Sequence, residues 1–219
     1  MSRPRVRPRT RPRLSRQERQ AETREALLAA GAEVFAERGF AGASLDEIAA
    51  RAGYTRGAIY ANFADKDDLF VTLVQRHKDA FIDAFDQAIS LDTPERRLHA
   101  VQELLTAGVR GMAADWIVLW TELWLHAVRH PQVAERLAEH ERRYRAAVAR
   151  LLTSVAADLG LKLPAAADEL AADVIALDVG RSLQGRLSPE ISRHALPQAI
   201  ARLLGITPES TPTSRGEQP

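Results

Sequence analysis

An arginine, a glycine and a tyrosine stand close together in the segment TRGAIY, which runs from Thr55 to Tyr60. Thr55 is a good N-cap residue, so the segment predicts a short helix that begins at Arg56. A guanidinium in this first turn can donate two parallel hydrogen bonds to O6 and N7 of a guanine. Gly57 costs about 1 kcal/mol inside a helix unless another molecule must approach its bare backbone closely. These residues indicate contact with nucleic acid bases, and a solvated arginine is the alternative for Arg56.

The preceding segment, SLDEIAARAG, predicts a helix of about two turns. Ser44 can accept a hydrogen bond from the N–H of Glu47 while the Glu47 carboxylate reaches back to the Ser44 N–H. This reciprocal capping box starts the helix at Leu45. Gly53 can adopt the left-handed conformation that ends it, because glycine has no Cβ to clash there.

The positions of Ala49, Gly53 and Ile59 relative to one another predict that the two helices cross closely. A small residue at Ala49, a glycine at Gly53 and a branched apolar residue at Ile59 form the pattern that is typical of a helix-turn-helix. In such a unit the second helix, here predicted over residues 56–62, projects its first residues into a major groove about 12 Å wide.

The stretch from Ser44 to Lys66 resembles the DNA-binding domain of the TetR (tetracycline repressor) family of transcriptional regulators. The resemblance lies in the SLDEIAARAG helix, in the Tyr60-x-x-Phe63 pair and in Lys66 at the start of the next helix, and it covers about residues 20–70. It implies that Tyr60 and Lys66 contact DNA phosphates, which position a protein on DNA without reading sequence. The full set of predicted DNA-contact residues is Ser44, Thr55, Arg56, Gly57, Tyr60, Asn62 and Lys66.

Helical patterns cover the remainder of the chain, and neither strand alternation nor an internal repeat is present. The predicted fold class is therefore all-α, with an N-terminal three-helix helix-turn-helix domain and a C-terminal helical domain for ligand binding and dimerisation. The predicted domains are a disordered basic arm (1–16), the helix-turn-helix domain (17–65), the ligand-binding and dimerisation domain (66–206) and a disordered tail (207–219). The predicted helices are 16–38, 45–52, 56–62, 66–89, one from Pro94, one from Trp116 after an Asp115 cap, 131–160, 165–187 and 197–204.

Trp116, Trp120 and Trp124 are spaced four residues apart, so their indoles share one face of a predicted helix. Large aromatic side chains in a domain rich in Ala and Leu can line a ligand cavity, and a solid core or a dimer contact is the alternative. The family resemblance implies a cavity among the fourth to eighth helices. The predicted ligand-binding residues are Phe81, Phe85, Trp116, Trp120, Leu123, Trp124 and Tyr144.

Three other polar residues, Glu122, His126 and His130, also recur at a spacing of four. They could ligate a metal, but histidines at the negative end of a helix dipole account for them as well, so we predict no metal site. His77 lies on an apolar stripe and is expected at the edge of the core. The sequence has no nucleophile–base pair, phosphate-binding glycine loop or HExxH motif, so we predict no catalytic residue, no cofactor and no enzyme activity.

The formal net charge of +1 at pH 7 conceals an uneven distribution. Residues 1–19 hold eight of the 30 Lys and Arg residues and one of the 29 acidic residues, so the remainder holds 22 basic and 28 acidic residues. Attraction to DNA must therefore come from the arm and from local patches. The chain has no cysteine, no membrane-length apolar run and no apolar leader, which favours a cytoplasmic protein without a membrane partner.

These features together predict a homodimeric transcriptional regulator that binds double-stranded DNA. The expected activity is that of a repressor, released from a palindromic operator by a small apolar or aromatic molecule. The fourth helix is expected to couple the two sites, since Lys66 opens it and Phe81 and Phe85 lie further along it. The alternatives are a helical hydrophobe-binding protein without operator specificity and a nonspecific DNA binder driven by the Arg-rich arm.

Overall fold

The structure, a computed structural model, describes residues 15–107, 116–188 and 196–204. Those ranges contain α-helices and no strand, which confirms the all-α fold class. The helices are α1 (Arg16–Gly42), α2 (Leu45–Arg51), α3 (Arg56–Tyr60), α4 (Lys66–Ile89), α5 (Pro94–Ala107), α6 (Trp116–Arg129), α7 (Pro131–Asp158), α8 (Ala167–Leu187) and α9 (Leu196–Leu203). The predicted Asp115 cap, the tail at 207–219 and all but the last two residues of the arm at 1–16 lie outside the described residues.

The chain divides into two compact units, Met1–Leu73 and Val74–Pro219. The sequence placed its domain boundary between residues 65 and 66, whereas this division falls inside α4. Helix α4 therefore contributes residues to both units, and the functions assigned to the two parts stay predictions.

Aromatic rings join the first and last helices of the first unit. Phe70 lies 4.7 Å from Phe35 and 4.7 Å from Phe40 between ring centroids. Gly39 has φ 67°, so the chain turns there and brings Phe40 back onto Phe35. The other large buried residues of this unit are Leu27, Leu28, Val34, Ile48, Ile59, Phe63, Leu69, Val71 and Leu73.

The start of α2 differs in part from the predicted capping box. The hydroxyl of Ser44 accepts a hydrogen bond from the N–H of Glu47 at 3.2 Å, as expected. The Glu47 carboxylate does not complete the box: it lies 2.8 Å from Nε of Arg38 and 3.6 Å from Nη2 of Arg51. Ion pairing with arginines from two helices therefore replaces the reciprocal backbone bond, and the Glu47 side chain links α1 to α2.

The second unit has a separate core, built from the later part of α4 and from α5, α7, α8 and α9. Its buried residues are Ile82, Phe85, Ala88, Val101, Ala147, Val148, Leu151, Leu152, Leu170, Ala171, Val174 and Ile200. Within the described ranges, no helix combines the length and the apolar character that crossing a membrane requires.

Candidate functional site

Helix α3 packs against the core of the first unit through residues that are almost completely buried. Ile59 is 0% exposed and Phe63, just beyond the helix, is 1% exposed. Nη1 of Arg24 donates a hydrogen bond to the Asn62 carbonyl at 2.5 Å, and its guanidinium lies 4.3 Å from the centre of the Phe63 ring. Sequence reasoning missed Arg24 because its partner lies 38 residues away. Helix α1 thus fixes the end of α3 and leaves its beginning outside the core.

The beginning of α3 presents Arg56 to solvent. Its side chain is 69% exposed, and its Nε lies 3.2 Å from Oδ1 of Asp46, an exposed carboxylate in the first turn of α2. The guanidinium also lies 5.6 Å from the centre of the Tyr60 ring. Tyr60 through a hydrogen bond, and Asp46 through its charge, raise the pKa of Arg56. Arg56 is therefore a permanent cation. Its ion pair with Asp46 is exposed and weak, so a stronger hydrogen-bond acceptor can replace the carboxylate.

Gly57 follows in an open position. A Cβ at Gly57 would meet only Oγ1 of Thr55, at 3.8 Å, so nothing among the described residues requires a glycine here. Thr55 and Ser44 are also exposed. Thr55 occupies the predicted N-cap position, but its side chain makes no capping hydrogen bond, which corrects that expectation. The hydroxyl of Thr55 is the nearest protein atom to the open side of Gly57.

Two predicted DNA-contact residues lie in a different setting. Asn62 is partly buried, and its Nδ2 donates a hydrogen bond to the Ala58 carbonyl at 2.8 Å. The Lys66 ammonium donates to the carbonyls of Phe40 at 2.8 Å and Ala43 at 3.0 Å. Lys66 thus satisfies backbone acceptors at the end of α1. Sequence reasoning missed these two hydrogen bonds because the acceptors lie 26 and 23 residues before Lys66 in the chain.

This geometry predicts that Lys66→Met lowers the thermal stability of the free protein. The change leaves two carbonyls without their charged donor, at a cost of about 1–3 kcal/mol. Thermal unfolding measures this, with Lys162→Met, a change at an exposed lysine of the second unit, as the matched control. A Lys66→Met protein that unfolds like the wild type and merely binds DNA less well would instead show that this ammonium is available to phosphates.

The predicted ligand-binding residues of α4 and α7 pack against one another. Phe85 is 8% exposed and belongs to the core of the second unit. Its ring centroid lies 6.1 Å from that of Phe81 and 6.2 Å from that of Tyr144. Burial raises the pKa of the Tyr144 hydroxyl, so this group stays neutral and can donate a hydrogen bond.

The tryptophans of α6 make two separate arrangements. The rings of Trp120 and Trp124 lie 5.5 Å apart, whereas Trp116 stacks on His77 of α4 at 3.8 Å. Trp120 is 7% exposed, and Leu123 between the tryptophans is fully buried. The pKa of His77 is lowered to about 3, mainly by burial and to a smaller extent by the positive charge of Lys78.

A buried lysine, which sequence reasoning missed, lies at the centre of this region. Lys78 of α4 is 5% exposed, and its Nζ lies 2.8 Å from Oε1 of Glu141. The same nitrogen lies 3.0 Å from the centre of the Trp120 ring and 4.5 Å from that of Tyr144. Burial lowers the pKa of Lys78 to about 8, while Glu141 opposes the shift. The region that was expected to be apolar therefore contains a charge pair.

The alternative interpretation, that Glu122, His126 and His130 ligate a metal, finds no support in the part of the chain that the structure describes. The rings of His126 and His130 are stacked 4.0 Å apart, and Nδ1 of His130 lies 2.8 Å from the His126 carbonyl oxygen. No group of three His, Cys, Asp or Glu residues in that part is placed to hold a metal ion.

Two families of known proteins match the chain. Residues 27–73 match the bacterial regulatory proteins of the tetR family, a segment that includes α2 and α3. Residues 94–206 match the C-terminal domain of the BetI-type transcriptional repressors, and these residues are more than half of the chain. The matches therefore cover both units.

Curated relatives match over less than half of the chain. The transcriptional repressor BepR of Brucella suis is 42% identical over 95 residues, which are 43% of this chain and 45% of BepR. The transcriptional activator FasR of Mycolicibacterium smegmatis is 40% identical over 92 residues, which are 42% of this chain and 40% of FasR. The chain thus matches less than half the length of these relatives.

A solved structure extends the similarity of fold. A regulator from Saccharomonospora viridis, in complex with choline, has a TM-score of 0.67 at 21% identity and covers 84% of this chain and 96% of its own. Such structures have the N-terminal helix-turn-helix and C-terminal helical domain that the sequence predicted. From the two family matches, the relatives and the fold together, the chain belongs to the TetR family of bacterial transcriptional regulators.

Proposed function

We propose that this chain is a homodimeric repressor that leaves a palindromic operator when a small molecule binds its second unit. The observation that carries the DNA-binding part is the exposed beginning of α3, where Arg56 and Gly57 lie above the buried Ile59 and Phe63. In this proposal Arg56 exchanges the Asp46 carboxylate for the edge of a guanine. Ser44, Thr55 and Tyr60 contact the neighbouring phosphates.

Gly57 offers a test in which stability and binding move in opposite directions. Gly57→Ala should stabilise the free protein by up to about 1 kcal/mol, because alanine is the better helix former and its Cβ has space. The same methyl group should lower operator affinity, since it stands where the DNA must approach the backbone. Thermal unfolding and fluorescence anisotropy with labelled operator measure the two effects. A variant that binds the operator as tightly as the wild type would remove Gly57 from the interface.

Dimerisation follows from the small reach of α3. A helix of five residues contacts few base pairs, so useful specificity requires two half-sites bound by a two-fold dimer. We place the interface on α8 and α9. Outside its chain neighbours and its own helix backbone, no atom of the described residues lies within 4 Å of a Cβ position at Gly180 of α8, and Leu187 is 87% exposed. Light scattering should therefore give twice the chain mass of 24.2 kDa.

We place the effector site in the second unit, around α4, α6 and α7, with Phe81, Trp116, Trp120 and Trp124 among its contacts. Helix α4 would couple the sites because it contributes residues to both units. An effector that displaces the later part of α4 changes the spacing of the two α3 helices, and an operator of fixed spacing then favours one state. Reciprocity requires bound operator to weaken the effector by the same factor that the effector weakens DNA, commonly about 5–150-fold.

The experiment that tests this function starts from the DNA flanking the coding gene. An inverted repeat there should bind the protein with a preference over scrambled DNA that persists as salt is raised, and an effector that quenches tryptophan fluorescence should release it. Equal binding to both DNAs with a steep salt dependence would identify a nonspecific binder. Quenching compounds that all leave operator affinity unaltered would remove the proposed coupling.

A further inference from the structure

We propose that Lys78 is a built-in cation that occupies a cation-binding cage formed by Glu141, Trp120 and Tyr144, and that it thereby excludes free ammonium ligands. The cage lies in the region proposed for the effector, and its regulatory meaning rests on that proposal. The contacts that define it do not depend on that proposal.

The contacts around the Lys78 ammonium are those that proteins offer to a cationic ligand. Both carboxylate oxygens of Glu141 accept hydrogen bonds from Nζ, at 2.8 and 2.9 Å. The faces of Trp120 at 3.0 Å and Tyr144 at 4.5 Å cover the remainder. A carboxylate combined with aromatic faces is the arrangement that recognises choline and methylated lysine ligands elsewhere.

Stability alone gives a weak reason for burying such a pair. Replacement of a buried ion pair by apolar residues of similar volume is often neutral or stabilising, because desolvation offsets the Coulomb attraction. The face of α4 around Lys78 is otherwise apolar, with Val74, Ile82 and Phe85 all buried. A lysine here is better explained by its occupation of contacts that a cationic ligand would otherwise make.

The consequence is a restriction on the class of effector. A free ammonium ligand would have to displace Lys78 from Glu141 and both rings, or remain beside its positive charge. Choline, the ligand of the S. viridis regulator, belongs to the class that we infer this chain excludes. Neutral apolar molecules meet no such barrier.

Removing the internal cation should open the cage. Lys78→Ala removes the atoms from Cγ to Nζ, a group of about the size of n-propylammonium. The matched control is Lys78→Met, which fills the same space without a charge. Each protein is titrated with n-propylammonium chloride and separately with 1-propanol, and both tryptophan fluorescence and thermal unfolding are recorded. Sodium chloride at equal concentration corrects for salt.

We expect Lys78→Ala to bind n-propylammonium about thirtyfold more tightly than 1-propanol, which corresponds to about 2 kcal/mol for a desolvated cation–π site. The cation should also raise the Tm of Lys78→Ala, since it compensates the partly buried Glu141 carboxylate. Wild type and Lys78→Met should respond to neither n-propylammonium nor choline. In Lys78→Ala/Glu141→Gln the preference for the cation over the alcohol should disappear.

Three results would overturn the proposal. The first is a wild type that binds n-propylammonium or choline as tightly as Lys78→Ala does. The second is equal binding of cation and alcohol by Lys78→Ala, which would reveal a purely steric cavity. The third is a Lys78→Ala protein that stays unfolded in the presence of the cation. Because no measurement uses DNA, failure here and failure of the proposed repressor function are distinguishable.

Discussion

Replacing Arg56 with alanine is expected to cost about 1–3 kcal/mol of operator binding, or about 5- to 150-fold, and to relax discrimination at one base pair of each half-site. The reason is the exposed position of Arg56 at the first residue of α3, where its guanidinium can reach guanine O6 and N7. Fluorescence anisotropy with the operator, with single-base variants of it and with scrambled DNA measures both effects. Unchanged discrimination between these DNAs would contradict the base contact.

The chain contains a matched control for the loss of one positive charge. Arg96 is 62% exposed and pairs with Asp92, much as Arg56 is 69% exposed and pairs with Asp46. Arg96→Ala removes the same charge from α5 and should leave the operator preference intact. A similar loss of affinity in both variants would assign the effect to net charge.

A second control separates base contact from support of α3. Asp46→Ala breaks the ion pair with Arg56 but leaves the guanidinium available to DNA. It should preserve operator affinity or raise it, because it also removes a negative charge near the phosphates. If Asp46→Ala were as damaging as Arg56→Ala, the arginine would act by bracing α2 against α3.

The helix-turn-helix could be predicted from sequence because its signals are local. The bond from Glu47 N–H to Ser44 spans three residues, and Gly53, with φ 76°, ends α2 by itself. What sequence reasoning missed there are contacts between distant segments. Arg24 binds the end of α3 and Lys66 binds the end of α1, and neither partner is visible in a helical pattern. The DNA-contact assignment of Lys66 came from resemblance, which does not specify how this side chain is bonded in the free protein.

The second unit was predicted less well for a related reason. The apolar stripe of α4 marks its buried face by the spacing of the residues, so it includes the positions of His77 and Phe81 and passes over Lys78. The partner of Lys78, Glu141, lies 63 residues away on α7. Only the packing of α4 on α6 and α7 brings the charges together. Periodicity therefore located the core but not its polar centre.

Acidification is expected to destabilise the second unit through His77. Burial against Trp116 and Phe81 holds this imidazole neutral, with a folded-state pKa of about 3 against 6.5 for the free side chain. A depressed pKa means that the unfolded state binds the proton first. The contribution of His77 to stability is thus complete above pH 6.5 and is lost as pH falls toward 3. Between pH 6.5 and 4 the free energy of unfolding should fall by up to about 3 kcal/mol.

The variant His77→Phe isolates this contribution because it keeps an aromatic ring beside Trp116 and removes the titration. Urea unfolding at a series of pH values should give a shallower slope for His77→Phe than for wild type below pH 6.5. His99→Phe, at an exposed histidine of α5, should keep the wild-type slope. Burial also lowers the pKa of His140, so part of the acid sensitivity should persist in His77→Phe. Identical slopes in wild type and His77→Phe would mean that His77 is solvated and that its stack on Trp116 does not hold in solution.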